Sequence, residues 1–385
     1  MIVAVTPNPA LDLTYAVPSL APGTSHAVTE VQARAGGKGI NVASVAHLMG
    51  EPVVAIVPLG GPTGDVVAAD LAARGIPAVI VPVAGETRRC VAVVPADGAE
   101  ATVLNEPGPV LSPAEWDAVL AAVRTAVGQA RSEYAGHVAV VCSGSFPPGL
   151  PADAPAQLVR LAHELGVPAI LDTSGAALAA GLAAGPDLIK PNLAEAAALV
   201  DSVGAQLDAR TAAHALLARG AHAAAVSDGP RGVVLATHAG VLHARLAEPV
   251  AGNPTGAGDA LVAGLATGLA HASHSTHADH SGRAASSGHA ADTADAGRSP
   301  WTCAILGEAC AWAAAAVLSP VAGDLDPATV ASLRGSVRHG DLTSADPTTA
   351  DPTTADLTTA DPTTADPTTD PDPRGGTNTP TEGQP

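Results

Sequence analysis

The chain has 385 residues, 47% of them hydrophobic but only 2% aromatic, and carries a formal charge of −19 at pH 7. Such a charge argues against a nucleic-acid partner, whose phosphates need a basic face, and the lack of an uninterrupted apolar run of about 18 residues argues against a membrane span. Four cysteines without C-x-x-C spacing (Cys90, Cys142, Cys303, Cys310) and an N-terminus with no basic leader predict reduced thiols and a cytoplasmic setting.

In chain order, Met1 to Val5 is a β-branched run ending before Pro7, which suits a buried strand. From Thr14 to Ala35 apolar and polar positions alternate, as in one-sided strands. The turn Gly36-Gly37-Lys38-Gly39 opens a helix reaching about Met49. Residues 53 to 59, 64 to 74 and 77 to 83 then read as strand, helix and strand, a cadence that predicts a parallel sheet covered by helices. Residues 87 to 104 break the cadence with a hairpin turning at Asp97-Gly98. With the earlier exposed strands they predict a small lid sheet, about 12–35 and 86–105.

The rhythm returns with strands at 138–142, 169–172, 188–190 and 223–227, and helices at 153–165, 193–201 and 210–219. A hairpin, 232–236 and 240–245, leads to a second glycine turn. Residues 271–300 interrupt with His, Ser, Ala and Asp. His271, His274, His277 and His280 recur every third position, a spacing compatible with metal ligation, but a low-complexity insert is the reading adopted. A helix at 302–317 resumes the fold. From residue 339 the chain repeats Thr-Thr-Ala-Asp-Pro, and residues 341–385 hold eight Asp and one Glu against one Arg. Frequent proline and scarce apolar surface predict a disordered tail, 339–385, outside a domain spanning 1–338.

Chemistry gathers at the glycine turns. Gly252-Asn253-Pro254-Thr255-Gly256-Ala257-Gly258-Asp259 runs straight into an apolar helix, so backbone N–H groups and the helix dipole favour an anion there. Asp259 either caps that helix or takes a proton from a hydroxyl attacking a bound phosphoryl group. Asp172, Lys190, Ser227 and Asp228 fall at the C-terminal ends of strands, the edge where open α/β sheets bind ligands. Only two lysines occur, Lys38 and Lys190, and both lie inside motifs. The Walker pattern, G-x-G-x-x-G and G-x-S-x-G are all absent, which weakens P-loop, dehydrogenase and serine-hydrolase readings.

Six motifs stand in order: Asn8-Pro9-Ala10-Leu11-Asp12, Gly36-Gly37-Lys38-Gly39-Ile40-Asn41, Ser143-Gly144-Ser145-Phe146-Pro147-Pro148-Gly149, Lys190-Pro191-Asn192-Leu193-Ala194-Glu195, Ser227-Asp228-Gly229-Pro230-Arg231-Gly232 and Gly256-Ala257-Gly258-Asp259. Together they resemble the ribokinase/PfkB superfamily of sugar kinases, and within it the branch of 1-phosphofructokinases and tagatose-6-phosphate kinases. The resemblance covers about residues 1 to 333. It implies a ribokinase-like three-layer αβα fold with a mainly parallel sheet and a β-sheet lid that often takes part in dimerisation, with ATP and Mg²⁺ as cofactors and a ketohexose phosphate as substrate. The expected reaction is fructose 1-phosphate to fructose 1,6-bisphosphate. Minor-type 6-phosphofructokinase and tagatose-6-phosphate kinase are the enzymatic alternatives, and a non-catalytic sugar or nucleotide sensor is the alternative of a different class.

Carried over, the resemblance makes Asp259 the general base and Gly256, Ala257 and Gly258 the anion turn. Asp12, Gly37, Lys38 and Asn41 line the sugar site. Arg88, rather than Arg89 on the opposite strand face, takes the phosphate already on the sugar, and Ser145, with Ser143 a near-equal candidate, touches substrate. Lys190, Asn192 and Glu195 contact nucleotide phosphates, Glu195 reaching Mg²⁺ through water. Ser227, Asp228, Gly229 and Gly232 cradle the nucleoside. Phe146, Asp228 and Thr173-Ser174-Gly175 depart from the family pattern, the last in a way that bears on substrate choice.

Overall fold

The computed structural model describes residues 1–97, 101–200, 207–278 and 300–342. In chain order its strands are β1 (Ile2–Val5), β2 (Ala10–Val17), β3 (Glu30–Gly36), β4 (Val53–Leu59), β5 (Ala78–Pro82), β6 (Arg88–Pro95), β7 (Thr102–Asn105), β8 (Ala139–Ser143), β9 (Ala169–Asp172), β10 (Leu188–Ile189), β11 (Ala223–Ser227), β12 (Val233–Thr237), β13 (Gly240–Leu246) and β14 (Val337–Asp341). The helices are α1 (Lys38–Leu48), α2 (Gly61–Ala73), α3 (Pro113–Glu133), α4 (Ala154–Glu164), α5 (Gly175–Leu182), α6 (Leu193–Leu199), α7 (Ala209–Leu217), α8 (Ala257–Ala278), α9 (Cys303–Val317) and α10 (Pro327–Leu333).

Ten strands form one sheet in the order β14-β13-β12-β11-β10-β9-β8-β1-β4-β5. From β5 to β11 neighbours run parallel, and β12, β13 and β14 add an antiparallel edge. The β1 side chains explain the layering. Ile2 and Ala4 enter one core with α1, α2, α8 and α9, while Val3 and Val5 enter a second core with α3, α4 and α7. A strand covered on both faces reads as an unbroken apolar run, as Met1 to Val5 does. With few aromatics, both cores are filled mainly by Ala, Val, Leu and Ile. The result is the three-layer αβα fold expected, and no described helix is long and apolar enough to cross a membrane.

The lid is a separate sheet in the order β3-β2-β6-β7. Its centre is a parallel pairing of β2 with β6 that sets Ala10 against Arg88 and Asp12 against Cys90. The β6–β7 pair is antiparallel, as the hairpin reading predicts, although Gly98 of the proposed turn lies outside the described residues.

The structure differs from the sequence reading in three places. Helix α8 continues through 271 to Ala278, so the regular helix runs into the start of the expected insert; 279–299, including His280, lie outside the described residues. Strand β14 carries the fold to Asp341, past the expected boundary at 338, because it hydrogen-bonds along the exposed edge of β13 and Val337 is buried there. The remaining tail from 343 lies outside the described residues. Helix α3, unassigned above, announces itself locally: Ser112 and Glu115 form a reciprocal capping box with Pro113 in the first turn.

Candidate active site

One cavity of about 1630 Å³ lies between the lid and the C-terminal ends of the parallel strands, and it is lined by residues from all six motifs. Asp259 occupies the first turn of α8 and is buried. Gly256, at φ 85°, delivers the chain to that turn against Ala322 and Gly323, where a Cβ would stand 3.0 Å from the Ala322 Cα. Asn41 Nδ2 donates to Asp259 Oδ2 at 2.7 Å. Burial, reinforced by the negative charge of Asp172, pushes the Asp259 carboxyl up to about 7, against the opposing pull of the Asn41 hydrogen bond and of Lys38 and Lys190. A carboxylate tuned to neutrality suits proton abstraction at physiological pH.

Asp172, at the end of β9, is a site residue that the motifs did not single out. It is fully buried, its Oδ2 accepts from Ser143 Oγ at 2.6 Å, and its Oδ1 lies 3.4 Å from Lys190 Nζ and 3.6 Å from Lys38 Nζ. Burial alone would raise its carboxyl, but the two ammonium groups hold it below the ordinary range. Lys38 is held above the usual lysine range, first by Asp172, against burial, and further by Asp259 and Glu195. The only sequence sign of this role was an Asp at a strand's C-terminal end.

Several expected roles shift in detail. Lys38, expected among the sugar contacts, points its ammonium at Asp172 and, at 3.9 Å, at Glu195. The Ala257 amide is occupied, donating to Pro254 O at 3.2 Å, so Gly258 and Asp259 supply the first-turn donors of α8 that lack an intrahelical acceptor. Gly258 also lets Lys190 approach, since a Cβ there would sit 3.2 Å from Nζ. Asn192 and Glu195 cap α6 reciprocally, Glu195 N–H to Asn192 Oδ1 at 2.8 Å and Asn192 N–H to Glu195 Oε2 at 2.9 Å, leaving Glu195 Oε1 toward Lys38. Ser227, Gly229 and Gly232 line the cavity, but the Asp228 carboxylate does not; Arg231 holds it at 2.6 and 2.8 Å. Of the two serines, Ser143 is committed to Asp172 and buried, whereas Ser145 lines the cavity.

At the lid end, burial pushes the Asp12 carboxyl up to about 6, countered by Arg88 and by a hydrogen bond from the Cys90 thiol across the strand pair. Gly36 makes room for that carboxylate: a Cβ there would fall 2.0 Å from Asp12 Oδ2. Gly36→Ala is therefore expected to displace Asp12 and raise the KM for the sugar substrate roughly 10–100-fold, the loss of a charged hydrogen bond, with the KM for nucleotide unchanged in steady-state kinetics. Arg88 donates from Nε and Nη2 to Asn8 O at 3.2 and 3.1 Å and from Nη1 to Glu106 O at 3.1 Å. Arg89 faces away from it, bonded to Glu86 and Thr63 at 3.0 Å each.

Residues 7–316 match the family model described as pfkB family carbohydrate kinase. The chain belongs to that family. Over 280 residues this pfkB-family kinase is 39% identical to a 1-phosphofructokinase of Xanthomonas campestris, an alignment covering 69% of this chain and 83% of that one. Over 274 residues it is 35% identical to an ATP-dependent 6-phosphofructokinase isozyme 2 of Mycobacterium tuberculosis, covering 70% and 78%. Among solved structures, phosphofructokinase-2 from Escherichia coli in complex with potassium superposes with a TM-score of 0.73 at 26% identity, covering 87% of this chain and 98% of that one. The family membership makes the chain an ATP-dependent sugar-phosphate kinase, and enzymes of this family use ATP with Mg²⁺.

The residues present fit such a metal only loosely. Among the described residues no group of three or more His, Cys, Asp or Glu side chains forms a ready cage. Asp172 is fully buried and already offset by Lys190 and Lys38, whereas the Glu195 carboxylate borders the cavity and faces Lys38 at 3.9 Å. Glu195 is thus the cavity carboxylate that would hold Mg²⁺ brought in on ATP phosphates, through water.

Proposed function

We propose that the chain phosphorylates fructose 1-phosphate to fructose 1,6-bisphosphate at the expense of ATP. The observation that carries this reading is Asp259: a buried carboxylate near neutrality, oriented by Asn41 at the N-terminus of α8, in one cavity with Asp12 and Arg88. Asp12 accepts hydrogen bonds from sugar hydroxyls while Gly37 and Asn41 line the same subsite. Arg88 and Ser145 hold the phosphate at C1, which turns the free C6 hydroxyl toward Asp259. As that oxygen attacks the γ-phosphorus, its proton passes to Asp259 and the bond from γ-phosphorus to the β,γ-bridging oxygen breaks, releasing ADP. The amides of Gly258 and Asp259, with Lys190 and Lys38, stabilise charge on the phosphoryl group in flight; Mg²⁺, when bound, would supply further positive charge to the nucleotide phosphates. Asn192 and Glu195 border those phosphates, and Ser227, Gly229 and Gly232 receive the nucleoside through backbone groups.

The 39% identity to a 1-phosphofructokinase supports fructose 1-phosphate as substrate, and the 35% identity to a 6-phosphofructokinase supports fructose 6-phosphate as the second reading. An ADP-coupled assay across fructose 1-phosphate, fructose 6-phosphate, tagatose 6-phosphate and fructose decides between them. The highest kcat/KM is expected with fructose 1-phosphate; a higher value with either other phosphate would reassign the substrate. ATP binding without turnover of any of the four would make the chain a sensor.

The lid also supports a homodimer. Val31 and Leu104, which the strand pairing sets on the same face of the lid, are 58% and 60% exposed, an apolar pair suited to a second copy. Sedimentation at micromolar concentration is expected to give a dimer, reduced to a monomer by Leu104→Glu.

A further inference from the structure

We infer that Asn8 is a positioning residue for the substrate's existing phosphate, fixing Arg88 and Ser145 so that their remaining donors converge on one anion. The inference rests on the proposed phosphate-binding role of Arg88 and Ser145 and adds a residue to it.

Asn8 lies in the loop after β1 and is only 4% exposed, yet it borders the cavity. Its Nδ2 donates twice, to Pro107 O at 3.0 Å and to Ser145 Oγ at 3.2 Å, while its main-chain carbonyl accepts from both Nε and Nη2 of Arg88. The amide orientation is dictated by its surroundings, because the reverse one would set Oδ1 against the Pro107 carbonyl. The 107–108 backbone closes over the side chain so tightly that a Cβ on Gly108 would stand 2.2 Å from Oδ1. Holding Pro107 also holds its neighbour Glu106, whose carbonyl takes the third Arg88 bond. The Asn8 side chain thus steadies the segment that presents the Glu106 carbonyl, and the Asn8 main chain presents the other carbonyl that orients the guanidinium.

Donor counting shows what this leaves. A guanidinium has five N–H groups; three are committed to the Asn8 and Glu106 carbonyls, so one remains on each terminal nitrogen for an oxyanion. Ser145 Oγ accepts from Asn8, so its own O–H is left to donate into the cavity. Two terminal N–H groups and one hydroxyl make three donors for one phosphate, aimed before it arrives. Such preorganisation lowers the ordering cost of binding and acts on the sugar phosphate, not on ATP.

The test is steady-state kinetics on Asn8→Ala, Ser145→Ala and the double variant, with Arg88→Ala as reference. Asn8→Ala is expected to raise the KM for fructose 1-phosphate about tenfold, the loss of one hydrogen bond to an anion site, and to weaken competitive inhibition by inorganic phosphate in proportion. The kcat and the KM for ATP should stay within about twofold. On the Ser145→Ala background the Asn8→Ala effect should be smaller than on the unmodified enzyme, because one of the two contacts through which Asn8 acts is already gone. Full additivity, or parallel losses in kcat and ATP affinity, would overturn the inference. If Asn8→Ala does not accumulate as folded protein, Asn8→Asp replaces it: the same shape without the donors should raise the same KM at least as much, and an unchanged KM again overturns the idea. An Arg88→Ala enzyme with unaltered KM would sink the phosphate-site reading itself. Arg88→Ala behaving as expected while Asn8→Ala does nothing removes only the role assigned to Asn8.

Discussion

Asp259→Asn is expected to lower kcat by roughly 10²–10⁴-fold, the usual contribution of a positioned general base, with little change in either KM. Asparagine keeps the shape and still accepts the Asn41 N–H, so the loss isolates proton transfer from binding. The unmodified enzyme supplies the matching pH signature. Because the base must be ionised, kcat/KM should rise as pH increases through about 7 and level off above it. Stability should move the other way. A carboxyl whose folded-state pKa lies near 7, above its ordinary 3.8, binds its proton more tightly folded than unfolded, so ionising it costs stability as pH rises from about 4 to about 7. Asp259→Asn, relieved of that cost, should melt higher than the unmodified enzyme at pH 8, and the difference should vanish toward pH 4. Scanning calorimetry at the two pH values checks this, and unaltered turnover by Asp259→Asn would rule out the base.

The parallel sheet was legible because strands buried on both faces leave unbroken aliphatic runs, such as Met1 to Val5 and residues 53 to 59. The glycine turns were legible because close backbone approach leaves few residue types to choose from, as at Gly36 beside Asp12 and Gly256 beside Ala322. Helix α3 carried its own start signal in Ser112-Pro113-Ala114-Glu115 and apolar positions at Trp116, Val119, Val123 and Val127. The roles of Asp172, Asn8 and Asp228 were of another kind. Which partner a polar side chain takes is decided when distant segments meet: Lys38 begins α1, Lys190 follows β10, and only the folded sheet edge brings both to Asp172. The Ala257 amide, likewise, is taken up by the Pro254 carbonyl in a local bend that the motif letters do not encode.

Asp172→Asn should destabilise the enzyme more than any other single change at the site. The carboxylate is fully buried between two ammonium groups, and Lys190 beside it is 4% exposed. Removing the charge takes from buried Lys190 its nearest counter-ion, 3.4 Å away, and leaves only Asp259 to offset it, a loss of up to about 3–5 kcal/mol for a broken buried pair. Lys38, 39% exposed, is partly solvated and adds less. The expected fall in Tm is on the order of 10 °C at pH 7. Its pH dependence is opposite in sign to that of Asp259. Asp172 is held below the ordinary carboxylate range, so its contribution is present above that range and fades as acid protonates it in the fold, and the gap between variant and unmodified enzyme should narrow only at acid pH. The catalytic limb should move too. The Asp172 charge helps hold Asp259 near 7, and with that charge gone the lysines act on Asp259 unopposed. The rising limb of kcat/KM should therefore shift to lower pH even as the maximum rate falls. A limb still centred near pH 7 together with an unchanged Tm would mean that the lysines are neutralised by another group, and that Asp172 is not the electrostatic keystone of the site.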